Sequence, residues 1–470
     1  MLFNTIPFYA AFICFITIYA VLYQKSRTLM ILYVTLISTL FFYNANADLA
    51  LLLPATALVS WTLTHRMNQT EGQLRKRWLA AIIILDLLPL IYFKYTNFGI
   101  DVLNTLMQRN FPFMDIIMPV GISFYTFQAI SYSVDVYRKR FLLDVDFLEY
   151  LFYLSFFPLL LAGPITRAET LIPQLRRHSN IDAHMLNMGL FLIISGIIKK
   201  NIIADYIAQY NNWIFNDPLM YSGFENLMGV LGYSLQIYND FSGYSDMSIG
   251  IAALMGFQLR DNFNFPYQSL NITEFWHRWH ISLSTWFRDY LYIPLGGNRK
   301  GSARTYFNNF LTMVVAGLWH GSTLMYVLWG ALHGAALVLH KFCKKLFLDR
   351  IGNRWYTRMA CWIVFFLFIQ VTWVFFRAPD MDIAGKVFSQ IFSEFDITYL
   401  PVFIKVRPMW TIVVIMALLL HAIRERHYLW LQERFIRLHW AGKFIIMLIV
   451  VQLAIQFYTS SVQPFLYYQY

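Results

Sequence analysis

Cysteine and charge are both scarce in this chain of 470 residues. The three cysteines, Cys14, Cys343 and Cys361, lie far apart and form no C-x-x-C pair. They therefore argue against a disulfide framework and against a zinc site. Charged residues make up only 13% of the chain, whereas a soluble domain usually carries about a quarter. This deficit excludes a water-soluble protein of ordinary composition.

Apolar residues are abundant instead, at 58% of the chain, and they form long uncharged runs. A membrane span needs roughly 20 apolar residues, so the chain has room for about ten spans or re-entrant pieces. The net charge of +11 comes from basic residues in short loops between the apolar runs. That distribution follows the positive-inside rule, so we expect a lipid bilayer as partner and no nucleic acid. The sequence predicts an all-α polytopic membrane protein.

The topology follows from the basic loops. Residues 6–23 have neither a basic start nor a small-residue cleavage site, so we interpret them as a retained span. Lys25 and Arg27 follow this span, which places the N-terminus outside. Later runs alternate with basic loops and place the C-terminal tail outside as well. The further predicted spans are residues 28–43, 49–64, 79–93, 118–137, 359–377, 408–423 and 444–462.

Residues 141–260 are harder to interpret, because Lys199, Lys200, Asp240 and Asp246 interrupt the apolar runs. We find no internal repeat of fixed period and no low-complexity linker. The sequence therefore predicts one membrane domain over residues 1–470. Its parts would be N-terminal hairpins (1–140), a catalytic core with re-entrant segments (141–345), and C-terminal helices with an outside tail (346–470).

The run TMVVAGLWHGSTLMYVLWGALHG, residues 312–334, has no charged side chain but two histidines, each followed by glycine. It lies between basic residues Arg304 and Lys341, so the chain must enter the membrane and return. The residues between them would span ~54 Å as helix, slightly short of two crossings. We therefore predict a broken or re-entrant hairpin that bends at His320-Gly321-Ser322. Irregular backbone at membrane depth must be buried in protein or line a cavity, which places His320 on an internal cavity.

A second segment that combines polar and aromatic residues is SLNITEFWHRWHISLSTWFRDYLYIPLGGNRKG, residues 269–301. Asn271 and Glu274 are typical of a helix start, and Pro294 with Gly296-Gly297 is typical of a stop. A helical projection places an aromatic stripe on one face of a short helix that would enter from the cytoplasmic side. The stripe contains Trp276, Trp279, His280, Leu283, Trp286 and Phe287.

Ionisable residues inside a membrane are costly and are functional candidates. His320 and His280 are therefore the candidate catalytic residues, with Trp319 and Trp279 beside them. A buried core histidine that is merely hydrogen-bonded is the alternative for His280. His333 is a weaker candidate, because it lies nearer the cytoplasmic end and could simply bond a carbonyl. Glu274 and His277 form one Glu-x-x-His, but no second motif follows, so we expect no metal site.

Several long motifs now resemble a known family. They are MPVGISFYTFQAISYSVDVYR (118–138), FFPLLLAGPITR (156–167), YNDFSGYSDMSIG (238–250), ITEFWHRWHISLSTWFRDYLYIPLGGNR (272–299) and GLWHG (317–321). The chain resembles the membrane-bound O-acyltransferases, in the bacterial branch of alginate and peptidoglycan O-acetylation subunits. The resemblance covers about residues 90–335. It implies many helices around a central funnel, with His320 and His280 as the family histidines and Asp246 as a further lining residue.

The resemblance also implies that acyl groups arrive as a cytoplasmic thioester and leave on the outer side. Acyl transfer to a hydroxyl needs a base, and histidine, with a pKa of about 6.5, suits neutral pH. The expected donor is acetyl-CoA, used as a substrate, with no bound cofactor. Arg299, Lys300 and Arg304 could attract its phosphates. Ordinary positive-inside charge explains the same three residues.

The chain ends in SSVQPFLYYQY. Its last six residues resemble the F-x-Y-x-x-F signature of extracytoplasmic acyl-transfer systems, although Tyr470 replaces the final phenylalanine. The family role would make Tyr467 the acyl carrier. An aromatic belt at the membrane interface is the alternative.

We therefore predict a membrane acyltransferase in the bacterial inner membrane. It would pass acetyl groups from acetyl-CoA to an extracytoplasmic polysaccharide such as peptidoglycan or alginate, with a slight preference for peptidoglycan. The resemblance implies a separate periplasmic, esterase-like (SGNH-type) transferase as partner, because the chain itself lacks a G-x-S-x-G elbow that could complete the transfer. A secondary transporter or channel, a D-alanyl transfer protein and an assembly scaffold are the alternatives.

Overall fold

The computed structural model describes residues 6–46, 49–142, 144–161, 163–177, 181–346 and 354–457. All regular structure in these ranges is helical, which confirms the predicted class. The α-helices are α1 Ile6–Lys25, α2 Arg27–Asn46, α3 Leu52–Asn68, α4 Gly72–Leu90, α5 Thr96–Met107, α6 Ile122–Tyr137, α7 Phe147–Ser155, α8 Phe157–Leu160, α9 Ala168–Arg177, α10 Ala183–Ile197, α11 Asp205–Asn216, α12 Gly223–Leu254, α13 Ile272–Arg278, α14 Ile281–Phe287, α15 Ser302–His320, α16 Leu324–Leu346, α17 Trp355–Arg377, α18 Met381–Ser393, α19 Tyr399–Val406, α20 Pro408–Ala422, α21 Glu425–Arg437 and α22 Trp440–Gln456. Three π-helical segments, Ile91–Tyr95, Ile198–Ala204 and Arg288–Tyr292, continue α4, α10 and α14.

Five described helical segments are long and apolar enough to cross a membrane: Pro7–Lys25, Arg27–Asn44, Gly72–Met107, Ala183–Asn216 and Trp355–Arg377. The number rises to seven if two bent pairs, α19 with α20 and α21 with α22, are each counted as one span. Predicted spans 49–64 and 118–137 form α3 and α6, whose 17 and 16 residues are too short for that count. The chain is thus a multi-pass helical protein.

The described residues divide into two compact units. Whether these units form the single membrane domain that the sequence predicts is not tested by this division, so that domain stays a prediction. The first unit comprises residues 1–190 and 248–260. In it α7 packs against α2 and α9. The Glu149 carboxylate on α7 is buried and pairs with Arg27 of α2 and with Arg176 of α9, the latter at 2.5 Å. These ion pairs tie the three helices together.

The second unit comprises residues 191–247 and 261–470 and contains the lysines that obscured the sequence pattern. Lys199 Nζ lies 2.7 Å from an Asp246 oxygen, and Lys200 Nζ lies 2.5 Å from Asp240 and 2.7 Å from Asp205. A buried charge is tolerated when it is paired and hydrogen-bonded. The charges that interrupt the apolar runs therefore neutralise one another between the π-helical segment and α12.

A close glycine contact lies between the Lys199–Asp246 and Lys200–Asp240 ion pairs. A Cβ on Gly196 would lie 2.5 Å from the Gly243 carbonyl oxygen, and one on Gly243 would lie 2.9 Å from the Gly196 carbonyl oxygen. Gly243 is three residues from both Asp240 and Asp246. The missing side chains therefore let the backbones approach closely enough for both lysines to reach α12.

The predicted hairpin is present in the second unit. Helix α15 ends at His320 and α16 begins at Leu324, so the bend falls where the sequence predicts it. The helices have 19 and 23 residues, which correspond to ~28 Å and ~34 Å. Both extend beyond Arg304 and Lys341, so each arm is about as long as the ~30 Å hydrocarbon core of a bilayer.

Glycines bring α15 and α16 together. A Cβ on Gly330 would overlap the Met313 carbonyl oxygen, and a Cβ on Gly317 would overlap the Tyr326 carbonyl oxygen. Gly334 lies similarly close to Phe310, where a Cβ would lie 3.0 Å from the Phe310 Cα. Small residues at such contacts allow helix backbones to pack at short range. This packing fixes the end of α15, where His320 lies.

Candidate active site

His320 is the last residue of α15 and is enclosed by aromatic rings. Its ring centroid lies 5.1 Å from Trp319, 5.1 Å from Trp329 and 5.4 Å from Phe376. All three rings stand nearly perpendicular to the imidazole. The side chain is only 2% exposed. The imidazole is therefore almost completely covered by packed rings, and the internal cavity at His320 stays a prediction.

His280 lies at a break in the chain and not on the face of a continuous helix. Helix α13 ends at Arg278, α14 begins at Ile281, and His280 adopts a left-handed backbone conformation with φ of 43°. The predicted uninterrupted aromatic stripe is therefore wrong. The predicted helix start is confirmed, because the Asn271 side chain accepts a hydrogen bond from the Glu274 amide.

Asn262 holds this break in place from another part of the chain. Its carbonyl oxygen Oδ1 accepts hydrogen bonds from the Ser282 amide at 3.1 Å and the Ser282 hydroxyl at 2.9 Å. Its backbone oxygen accepts one from the Ile281 amide at 2.9 Å. The first turn of α14 is therefore capped by a residue that lies about 20 positions earlier in the chain. Helix starts require such acceptors, because their first amides have no partner within the helix.

Asn262 also fixes the tautomer of His280. His280 Nδ1 lies 3.2 Å from Asn262 Oδ1, and Asn262 Nδ2 donates to the Ser245 hydroxyl at 3.3 Å. Since Oδ1 also accepts from the Ser282 amide, it is an acceptor, so Nδ1 of His280 is the donor. The neutral imidazole then keeps its lone pair on Nε2. This assignment comes from the hydrogen-bond network.

The two predicted catalytic histidines share one aromatic neighbour. The Trp319 ring lies 5.9 Å from His280 and 5.1 Å from His320, measured between ring centroids. His280 is completely buried, and Phe241 packs against its ring at 4.7 Å. The structure thus brings together His320, His280 and Trp319, which the sequence singled out from two separate motifs.

His333 and Trp279 extend the same aromatic cluster. His333 is buried and its Nε2 lies 3.2 Å from the Thr372 hydroxyl, so its described partner is a hydroxyl and not the carbonyl that the sequence suggested. Trp329 packs against His333 at 4.6 Å and against His320 at 5.1 Å. Trp279 stacks on Phe275 at 5.4 Å. Trp279 therefore belongs to the packed surroundings of the site.

The remaining predicted site residues lie elsewhere. Asp246 is engaged by Lys199 and accepts a hydrogen bond from the Ser195 hydroxyl at 2.9 Å. Arg299, Lys300 and Arg304 are exposed. Arg304 is in the first turn of α15, so ~24 Å of helix separate it from His320. Tyr467 lies outside the described residues. Within the described part of the chain, no group of three or more His, Cys, Asp or Glu residues could hold a metal ion.

Three residues of the site, Asn262, Trp329 and Phe376, are not predicted from the sequence. Asn262 lies in RDNFNFPYQ, where no periodicity marks it, and Phe376 belongs to an apolar helix that looks like ordinary membrane span. Trp329 offered a signal, because WGALHG repeats the Trp, His and Gly residues of GLWHG on the other arm of the hairpin. Packing of the two arms brings Trp329 of the second motif against His320 of the first.

Comparisons with known proteins agree with these motifs. A family model described as MBOAT, membrane-bound O-acyltransferase family, matches residues 14–376, a range that contains His280, His320 and His333. The probable alginate O-acetylase AlgI of Pseudomonas aeruginosa is 38% identical over 385 residues, covering 81% of this chain and 72% of that protein.

Two more distant relatives have names that mention a polymer other than alginate, and one of them has a name that mentions D-alanyl instead of acetyl. The peptidoglycan O-acetyltransferase of Helicobacter pylori is 34% identical over 392 residues, covering 78% of this chain and 74% of that protein. The teichoic acid D-alanyltransferase of Bacillus subtilis is 27% identical over 353 residues, covering 72% and 87%. This chain belongs to the membrane-bound O-acyltransferase family and is a multi-pass membrane acyltransferase.

Proposed function

We propose that this enzyme transfers acetyl groups from cytoplasmic acetyl-CoA across the bacterial inner membrane for O-acetylation of an extracytoplasmic polysaccharide. The observation that carries this proposal is the pair of buried histidines, His320 and His280, which both pack against Trp319. Relatives named for alginate and peptidoglycan acetylation support acetyl as the acyl group and a polysaccharide as the final acceptor. The more distant D-alanyltransferase supports the transfer of an acyl group in general.

His320 acts as the general base in this proposal. It takes the proton from an acceptor hydroxyl while the oxygen attacks the thioester carbonyl. The carbon–sulfur bond then breaks, and the departing thiolate of coenzyme A receives the proton from the imidazolium. Water is excluded by the rings of Trp319, Trp329 and Phe376, which protects the thioester from hydrolysis. One of these rings moves when the substrates bind.

His280 orients the reacting group through its Nε2, whose lone pair accepts a hydrogen bond from a hydroxyl donor. The hydrogen bond between Nδ1 and Asn262 holds the ring in one tautomer and one orientation. Asn262 thus positions the imidazole and does not itself take part in the reaction. The alternative role of a buried packing residue remains for His280, and the Asn262 prediction below separates the two.

The acceptor hydroxyl in the proposal is that of Tyr467, in the C-terminal tail. The acetyl-tyrosine would then donate to a periplasmic, esterase-like transferase that modifies the polysaccharide. Both termini lie outside in this arrangement, and the donor binds on the cytoplasmic side. Exposed Arg299, Lys300 and Arg304 would attract the coenzyme A phosphates there.

Labelled acetyl-CoA tests the proposed acyl-tyrosine directly. Purified enzyme incubated with acetyl-CoA that carries a labelled acetyl group is expected to release coenzyme A and to become labelled itself. In Tyr467→Phe, self-labelling should fall at least tenfold, because the attacking phenol oxygen is absent. Tyr468→Phe is the matched control and should label as the wild type does. Equal labelling of wild type and Tyr467→Phe would contradict the tyrosine carrier.

Asn262→Ala tests the positioning of His280. Loss of the Oδ1 acceptor frees the imidazole to change tautomer, so kcat for acetyl transfer should fall by roughly tenfold with little change in KM. Steady-state kinetics with acetyl-CoA measures this split. Asn264→Ala, two residues away, is the control, because the Asn264 contacts described here run through its backbone. A purely structural role would instead lower the yield of folded protein and leave kcat per folded molecule unchanged.

A further inference from the structure

Helix α21, Glu425–Arg437, differs from the helices on either side of it. It joins the apolar helices α20 and α22, but its own sequence, ERHYLWLQERFIR, is rich in charge. The chain turns by 118° between α21 and α22. If α22 crosses the bilayer, α21 runs closer to the membrane plane than to the membrane normal. A charged, amphipathic helix in that orientation lies at a membrane interface.

One face of α21 is packed against the protein. Tyr428 and Phe435 both contact Phe191, with ring centroids 5.6 Å and 5.5 Å away. Phe435 is buried, at 8% exposure. The opposite face of the helix therefore points away from the second unit.

That outward face combines arginine and tryptophan. At the helical repeat, Arg426, Trp430, Arg434 and Arg437 fall within an arc of about 80°. Trp430 is 55% exposed, and Arg434 lies over its ring at 5.3 Å. Arg437 pairs with Glu433 at 2.7 Å, which leaves a positive surface around Trp430.

A shallow cavity opens at the N-terminal corner of α21, where α20 ends. Its volume is about 400 Å³, and its walls are mostly apolar. The lining residues are Ala422, Ile423, Arg424, His427, Trp430 and Leu431. Apolar walls beside the cationic side chain of Arg424 match a molecule that is apolar along its length and anionic at one end.

We propose that the outward face of α21 and this corner cavity bind the headgroup and glycerol region of an anionic phospholipid. Guanidinium groups recognise phosphate by charge and by paired hydrogen bonds, and a tryptophan is stable at the depth of the headgroups. Clusters of arginine beside a membrane span attract anionic lipid surfaces in the same way. The surface thus takes a lipid of the surrounding bilayer and not the acyl donor.

The test uses the whole protein in lipid nanodiscs and measures quenching of tryptophan fluorescence by brominated lipids. The difference between wild type and Trp430→Phe isolates the signal of Trp430. Dibrominated phosphatidylglycerol should quench this signal roughly threefold more than dibrominated phosphatidylcholine at equal mole fraction. The double variant Arg426→Gln/Arg434→Gln should lower that ratio to about one.

The control is Lys139→Gln/Arg140→Gln, which removes the same charge from an exposed loop in the first unit and should keep the wild-type ratio. Equal quenching by the two lipids in the wild type would overturn the proposal. So would an equal loss of preference in the control variant, which would reflect net charge alone. Relief of the phosphatidylglycerol preference by millimolar inorganic phosphate would assign the surface to a soluble anion and would also overturn the lipid site.

Discussion

His320→Gln is expected to lower the rate of acetyl transfer by roughly 1,000-fold while the protein still folds. Glutamine approximates the size of the imidazole, so the rings of Trp319, Trp329 and Phe376 keep a packing partner. It cannot accept a proton from the acceptor hydroxyl, and the transfer then depends on an unassisted nucleophile. Coenzyme A release from purified protein measures the rate, and the KM for acetyl-CoA should change little.

His277→Ala is the matched control for this experiment. His277 lies on α13, three residues before His280, and is exposed. Its loss removes an imidazole of the same segment without touching the enclosed site, so activity should stay within about twofold of the wild type. If His320→Gln kept wild-type activity in protein that unfolds normally, His320 could not be the base.

Gly330→Ala should disrupt the packing of the α15–α16 hairpin. Its Cβ would overlap the Met313 carbonyl oxygen, so α15 and α16 have to separate. Overpacking of this kind costs about 3 kcal/mol, and here it also shifts His320 at the end of α15. We expect a lower midpoint of thermal unfolding in detergent together with loss of acetyl transfer.

Gly385→Ala on α18 is the matched control and should raise stability instead of lowering it. A Cβ at Gly385 would meet no atom within 4 Å, and the residue is exposed within its helix. Replacing a helical glycine by alanine at an open position stabilises by about 0.5–1 kcal/mol. A similar loss of stability in both variants would show that close packing of the hairpin is not the cause.

The hairpin and its histidine could be predicted because the sequence pattern there is local. Basic residues on both sides of 312–334 require the chain to return, and Gly321 marks the bend. The structure places that bend between His320 and Leu324. The aromatic enclosure of His320 was only half predictable, because Phe376 comes from a distant helix and its contact depends on tertiary packing.

The break at His280 could not be predicted for a physical reason. A helical projection assumes that hydrogen bonds run within the segment, and Trp276, Trp279 and Phe287 fit that assumption well. Asn262, however, supplies acceptors to α14 from outside the segment. These long-range hydrogen bonds outweigh the local helical preference of the sequence, and they turn His280 into the left-handed region.

The helices within residues 141–260 could not be predicted either, because their buried charges are paired with charges on other segments. Lys199, Lys200, Asp240 and Asp246 each reduce the hydropathy of a run when counted alone. Across the Gly196–Gly243 contact, Lys199 pairs with Asp246 and Lys200 pairs with Asp240, so each lysine in the interior of the second unit has an aspartate partner. A count of single residues cannot register a pairing between segments some forty residues apart in the chain.

This pairing bears on how the protein is assembled during synthesis. A lone lysine at the centre of a membrane helix costs about 3 kcal/mol to insert, and the π-helical segment Ile198–Ala204 carries two in succession. Asp205, the next residue in the chain, pairs with Lys200, but Asp246, the partner of Lys199, arrives only when α12 has been translated. Stable integration of Ala183–Asn216 is therefore expected to wait for α12, so that the two segments leave the insertion machinery as a unit.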